Sequence, residues 1–371
     1  MAESAGAIPA LSHLTEDARE RLGWIVYLSL WVQSREGPDE DFTKIDKRKW
    51  FLPYRRNVND IFSRKEDAMN IAVVGAGAIG SYLGGMLSNE RMNVSLIARG
   101  EHLKHMKENG LILKTNNHEK TIKATFTDSM DVIKGADLIL FTVKSPDTLK
   151  TAREMMPFVK KEASILTFQN GVSNEEVLAD LYGEKQVLSG AAHISAQVDS
   201  PGAVKQEGNH LFFIGSLSDD NCQKADEVVQ LFEISGINTR SSDRIIERKW
   251  RKSLWNVTFN PLSAVTGAAV GEILDSPELN KTAELVLKEI VEVAKKANIK
   301  VTKKAIDQVF ADAALVRHHK TSMLQDREKG KPMEVEALCG YFVKKARRLE
   351  VDTPVLETLY SILTFIDVRK G

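Results

Sequence analysis

The rhythm of apolar and polar positions changes twice along the chain. From Met69 onward, short apolar runs alternate with stretches of helical periodicity. NIAVV, NVSLIAR, ADLILFTVK, SILTFQNG, VLSGAAHI and HLFFIGS read as strands, with SPDTLKTAREMM, NEEVLADLYG and KADEVVQLFEISG as helices between them. Such alternation is the pattern of an α/β sheet. It ends near INTRSS, and beyond about residue 242 only helical patterns remain: KWRKSLWNVTFNPLSAV, ELNKTAELVLKEIVEVAKKAN, KKAIDQVFADAALVR and MEVEALCGYFVKKARRLE. Ahead of Met69 lies a different texture, a helical stretch SHLTEDARERLGWIVYLSLWVQSR followed by acidic and then mixed basic and aromatic residues. Thr15 suits the N-cap of that helix, with Glu16 and Asp17 complementing its dipole. Trp24, Leu28 and Trp31 form a stripe read as a docking face on the main body or on a second subunit, which leaves a homodimer open as the assembly.

Within KWRKSLWNVTFNPLSAV, Lys252, Asn256 and Asn260 recur every four residues. On an α-helix they fall within about 80° of one another along about 12 Å of axis, a single polar stripe. Phe259 and Trp255 flank it on one side, Val257 and Trp250 on the other, so the helix is expected to be buried or to line a cleft. A lysine in that setting requires a partner or a task.

IAVVGAGAIGSYLGGML places Gly75, Gly77 and Gly80 directly after a strand and at the head of a helix. In that context the loop Gly75, Ala76, Gly77, Ala78, Ile79 and Gly80 offers a tight turn, close backbone approach to a pyrophosphate and a positive helix terminus beneath it. A dinucleotide cofactor follows. At the end of the next strand, where an NAD enzyme usually carries an acid for the ribose 2′-hydroxyl, stands Arg99, with Lys104 as a further charge. A guanidinium clamps a 2′-phosphate, so NADP is the expected cofactor. Ligands of open α/β sheets sit beyond the carboxyl ends of the strands. Lys144, which ends ADLILFTVK, and Asn170 with Gly171, which end SILTFQNG, are therefore candidates, although Asn-Gly is also ordinary turn chemistry. The predicted organisation is a short, mainly helical N-terminal extension over residues 1–69, an α/β Rossmann-type nucleotide-binding domain over 70–242 and an all-α C-terminal substrate and catalytic domain over 243–371.

Composition narrows the function classes. Among 371 residues, 51 basic side chains balance 51 acidic ones, so no net field draws the protein to nucleic acid or to an anionic membrane. The apolar run GWIVYLSLWV is well short of a membrane-spanning helix and follows acidic residues, unlike a targeting segment. The two cysteines, Cys222 and Cys339, are far apart and suggest neither a disulfide framework nor a metal site. A cytoplasmic protein with a small-molecule partner, and neither nucleic acid nor membrane, is expected.

Taken together, GAGAIG at 75–80, the Arg after the second strand, VK at 143–144, QNG at 169–171, KWRKSLWNVTFNPLSAV and TSMLQDREKGKPMEVEAL at 321–338 resemble the ketopantoate reductases (2-dehydropantoate 2-reductases). The resemblance covers roughly residues 70 to 370. It implies NADPH-dependent reduction of 2-dehydropantoate, a 2-oxo acid, to (R)-pantoate for pantothenate and coenzyme A synthesis. It implies Lys252 as the catalytic proton donor with Glu334 beside it, and Asn256, Asn260, Ser322 and Asn170 as substrate contacts. Lys144 and Asn170 match positions beside the cofactor. The chemistry agrees: reduction builds negative charge on the carbonyl oxygen, and desolvation would weaken the Lys252 ammonium while Glu334 would restore it.

Two positions depart from the family pattern. Where its members often read EIDAING, this chain reads EVEALCG, so Glu336 and Cys339 replace an acid one methylene shorter and an amide. Both changes are expected to reshape the pocket, which leaves the 2-oxo acid less secure than the reaction type and keeps a reductase of another bulky 2-oxo acid as a rival. A rival of another class is a non-catalytic NADPH-binding regulatory protein, against which the intact set of Lys252, Asn256, Asn260, Ser322 and Glu334 argues.

Overall fold

A computed structural model of the protein describes residues 68–116 and 118–368. The expected N-terminal helix and its Trp24, Leu28 and Trp31 stripe lie outside the described residues. The chain from Met69 builds one ten-stranded sheet with helices on its faces, then a helical half.

The strands β1 (Met69–Val74), β2 (Met92–Ile97), β6 (Leu138–Phe141) and β7 (Ser164–Thr167) are parallel neighbours in the order β7-β6-β1-β2. Their residues pack on both faces of the sheet, which is why they read as continuous apolar runs. In β1 the period of two divides the side chains between cores. Ile71 and Val73 join Tyr82, Leu83 and Leu87 of helix α1 (Ala78–Leu87). Ala72 and Val74 meet Ala152 and Met155 of α3 (Thr148–Met155) and Leu178 of α4 (Ser173–Tyr182) on the other face. Between β2 and β6 the chain runs through α2 (Gly100–Asn109), β3 (Leu111–Thr115), β4 (His118–Ile122) and β5 (Thr125–Thr127). These three short strands were not expected; β4 exposes four of its five residues, so no alternation marks it.

Antiparallel β8 (Val187–Ser200) and β9 (Ala203–Ser216) extend the sheet, α5 (Cys222–Ile234) covers it, and β10 (Thr239–Ser241) closes it at the expected INTRSS. All later elements among the described residues are helical. Helix α6 (Ile245–Thr266) is the axis of that half, packed by α7 (Val270–Asp275), α8 (Pro277–Lys296), α9 (Lys303–Leu315), α10 (Ser322–Glu328), a π turn at Glu336–Gly340, α11 (Tyr341–Arg348) and α12 (Pro354–Val368). Trp250, Leu254, Val257 and Phe259 of α6 share a core with Val286 and Ile290 of α8 and with Phe342. Gly267, left-handed at φ +79°, ends α6 by donating its N–H to the Ser263 carbonyl at 2.8 Å.

Candidate active site

The chain leaves β1 for β2 on one side and reaches β6 on the other, so the sheet has a topological switch point between β1 and β6. The glycine loop opens there. Gly75 adopts φ +98°, and a Cβ on it would lie 2.7 Å from the Val143 amide nitrogen. A Cβ on Gly80 would collide with the Gly75 carbonyl, whereas a Cβ on Gly77 would meet nothing within 4 Å. Gly75 and Gly80 are thus required for the turn, and Gly77 keeps an open approach to the first turn of α1, whose N-cap has no side-chain partner. The loop fits a pyrophosphate. Arg99 stands exposed at the N-cap of α2, after β2, with Lys104 exposed further along the same helix. The position after β2 that carries an acid in NAD enzymes holds Arg99, which suits a 2′-phosphate, and the nearest acid is Glu101 in the first turn of α2.

Across the switch point, α6 presents the polar stripe. The half-buried Lys252 donates from Nζ to the Asn170 Oδ1 at 3.2 Å and to the Ala192 carbonyl of β8 at 2.8 Å. Asn170 donates from Nδ2 to Glu334 Oε2 at 3.4 Å and so bridges lysine and carboxylate. Desolvation first, and then the neighbouring Lys249, lower the Lys252 pKa to about 8, while Glu334 raises it in part. The ammonium remains the main form at neutral pH but is easily deprotonated. Lys249 is a finding the periodicity did not single out.

Glu334 is fixed from the opposite wall. Its Oε1 accepts from the Ser145 backbone N–H at 3.2 Å and from the Ser145 hydroxyl at 2.8 Å. Glu334 stands immediately ahead of the helix, and its carbonyl accepts from the Leu338 N–H at 3.1 Å. That is N-cap geometry, which directs the side chain away from the helix to Ser145 and Asn170. Lys144 forms an ion pair with Asp326 at 2.9 Å. Desolvation pulls its pKa down, but Glu334 and Asp326 outweigh it and leave the pKa raised. This pair joins the end of β6 to α10.

The rest of the stripe lies as the periodicity requires. Asn256 is half-buried, and Asn260 is 2% exposed with an Oδ1 that accepts no hydrogen bond among the described residues. Ser322 is exposed at the first position of α10, after the Thr321 N-cap. The aromatic flanks pack the helix: the Trp255 and Phe259 rings are 5.2 Å apart, and Trp250 meets Phe342 edge-on at 5.1 Å.

Several functional features escaped the sequence reading. Ser145 sits in SPDTLK, which read only as a helix start. Gln169 donates to the Val143 carbonyl at 2.8 Å and to Thr148 Oγ1 at 2.7 Å, tying the loop after β7 to the loop after β6. Asn174 holds the Asn170 carbonyl at 2.9 Å. Gly171, expected to admit a ligand, adopts φ +77° and gives its close approach to the Ala337 carbonyl of the π turn. The two family departures lie away from the cleft: Glu336 pairs with Lys344 and accepts from Tyr360, and Cys339 is buried in the helical core.

A glycine loop at a switch point, facing a helix that carries a depressed lysine, defines a dinucleotide-dependent oxidoreductase. Comparisons with known proteins agree. The family model described as ketopantoate reductase PanE/ApbA matches residues 71–219, and that described as ketopantoate reductase PanE/ApbA C terminal matches residues 244–367. A 2-dehydropantoate 2-reductase from Pyrococcus horikoshii is 31% identical over 301 residues, which are 80% of this chain and 96% of the relative. The crystal structure of a PanE/ApbA family ketopantoate reductase from Ralstonia eutropha superposes with a TM-score of 0.76 at 28% identity, covering 81% of this chain and 99% of that one. A D-mandelate dehydrogenase with NADH and anilino(oxo)acetate gives a TM-score of 0.74 at 25% identity, covering 81% and 99%. This chain belongs to the ketopantoate reductase family and is an NADP-dependent oxidoreductase.

Proposed function

We propose that the protein reduces 2-dehydropantoate to (R)-pantoate with NADPH, and that Lys252 supplies the proton. The observation that carries this reading is the Lys252 ammonium, held by Asn170 and the Ala192 carbonyl beside the switch point. The glycine loop 75–80 and Arg99 would hold the cofactor by its pyrophosphate and 2′-phosphate, with Lys144 and Asn170 near its reactive end. When bound, the nicotinamide supplies the hydride.

The protein's own part is to receive the charge that develops on the substrate oxygen. Lys252 points its ammonium at that oxygen and gives up a proton as negative charge grows there. Its pKa of about 8 leaves it protonated at pH 7 while reducing the cost of release. Glu334 keeps the charged form available, and Asn170 fixes the separation of the two. Asn256 and Ser322 orient the substrate, and the buried acceptor oxygen of Asn260 suits a hydroxyl or other donor on it. Reprotonation of Lys252 from solvent would close the cycle.

A second reading, reduction of another bulky 2-oxo acid, draws on the likeness to the D-mandelate dehydrogenase. Loss of nicotinamide absorbance with NADPH and a panel of 2-dehydropantoate, other branched 2-oxo acids and aryl 2-oxo acids separates the two. Highest kcat/KM with 2-dehydropantoate is expected, an aryl acid in first place would favour the second reading, and no turnover with any acid would leave only a cofactor-binding role. We place the enzyme in the cytoplasm with small molecules as its ligands. Among the described residues no helix is long and apolar enough to cross a membrane, and the chain has no net charge to attract nucleic acid.

A further inference from the structure

Beneath the site lies a second lysine that proton donation does not use. Lys249 is 4% exposed and forms an ion pair with Glu175, itself 2% exposed, at the start of α4. Glu175 Oε1 also accepts from the Ser189 hydroxyl of β8 at 2.8 Å. Two charges removed from water are costly unless their geometry does something a pair of apolar residues would not. Here Lys249 Nζ also donates to the Gln169 carbonyl at 2.9 Å. Gln169 is braced to the loop after β6 through Val143 and Thr148, and the next residue is Asn170, the bridge between Lys252 and Glu334.

We propose that the buried Lys249–Glu175 pair is a positioning device for proton transfer: it anchors the Gln169 carbonyl so that Asn170 meets Lys252, and it sets a second ammonium one helical turn from the donor. Lys249 is a positioning residue, since it reaches the reacting atoms only through Gln169, Asn170 and its field. Residues three apart on a helix are neighbours, with Cβ atoms about 5–6 Å apart. The other groups facing Lys252 are Glu334 ahead of the π turn, Asn170 after β7, and the Ala192 carbonyl and His193 of β8. Burial, followed by the charges of Lys252 and Arg248, holds His193 well below the usual imidazole range, so it is neutral where Lys252 titrates. Of the cationic groups, Lys249 therefore favours release of the donor's proton, in agreement with its influence on Lys252.

This inference rests on Lys252 as the proton donor, and the experiment keeps the two apart. The pH profile of kcat/KM for 2-dehydropantoate reduction would be measured for the wild type, Lys252→Ala, Lys249→Arg and the double variant Lys249→Met/Glu175→Gln, which leaves no lone buried charge. Because reduction needs the protonated lysine, the wild-type rate falls as pH rises through about 8. In the double variant that fall should move up by about one pH unit. Its kcat at pH 7 should drop by about tenfold as Asn170 loses its anchor, with NADPH affinity unchanged. Lys249→Arg keeps the charge and should keep the fall where the wild type has it. A folded double variant with the wild-type profile and kcat would overturn the inference, as would a displaced fall in Lys249→Arg, which also decides the matter if the double variant does not fold. Full turnover in Lys252→Ala would instead remove the donor, a separate failure.

Discussion

The two walls of the cleft are built from different materials. On the sheet side the proposed cofactor wall is largely backbone: Gly75, Gly77 and Gly80 shape a turn within six residues, and its chemistry lies in N–H groups and a helix end. On the helical side the wall is side chains from separate segments. Lys252 comes from α6, Asn170 from the loop after β7, Ser145 from the loop after β6 and Glu334 from the residue ahead of the π turn. Hydrogen bonds between residues up to 189 positions apart hold that wall together. A backbone site tolerates many side chains but few changes of glycine. A side-chain site has no such redundancy, because each member sets the position or charge of the next.

Four substitutions test that contrast, from the largest expected effect to the smallest. Lys252→Ala removes the proposed proton donor, and steady-state assays should show kcat lowered by about 10³-fold, within the usual reach of general acid catalysis. NADPH affinity and Tm should stay near wild type; unchanged turnover would take the lysine out of the mechanism. Gly80→Ala drives a Cβ into the Gly75 carbonyl. NADPH binding, followed by fluorescence titration, should weaken by about 100-fold, roughly 2.7 kcal/mol, and an affinity within threefold of wild type would show that the loop yields.

Glu334→Gln sharpens the electrostatic side of the comparison. Glu334 raises the Lys252 pKa, so its neutral replacement lowers it below about 8, and the fall in kcat/KM on the alkaline side should move to lower pH. An immobile fall would separate Glu334 from the titration of the lysine. This shift is opposite in sign to the one expected on removing Lys249. Arg99→Asp exchanges a group suited to a 2′-phosphate for one suited to a ribose hydroxyl. The ratio of kcat/KM with NADPH to that with NADH should drop by about tenfold or more, with little change in maximal kcat. An unaltered ratio would show that the 2′-phosphate is read elsewhere.

The same contrast explains how much was legible before the fold was known. The glycine loop, Arg99 and the strands β1, β2, β6 and β7 are local patterns, and all fell where periodicity placed them. The polar stripe was legible as a stripe, since helical spacing alone sets it. The short strands β4 and β5 were not, because exposed edge strands carry no apolar alternation; β3 lies inside the sheet with Leu111 and Leu113 buried, but its five residues are too few for periodicity to mark. Lys249 shows the limit most clearly: it opens the same quoted stretch as Lys252, yet spacing alone does not tell which lysine is buried against a carboxylate and which faces the cleft. Glu336 and Cys339 show it from the other direction. Their departure from the family pattern suggested an altered pocket, and the fold turns one to a surface ion pair and the other into the helical core.

The sequence by itself determined the α/β sheet followed by helices, the glycine loop and the face of α6 that carries Lys252, Asn256 and Asn260. Each of these depends on residues within about two turns or one strand of each other, where backbone geometry is short-ranged. Only the tertiary structure decided that Asn170 joins Lys252 to Glu334, that Ser145 holds Glu334, that Lys144 meets Asp326, and that Lys249 lies buried with Glu175. Those contacts depend on where the sheet's strand ends meet α6 and α10. Long-range packing sets that meeting, and with it the burial that lowers the Lys252 pKa.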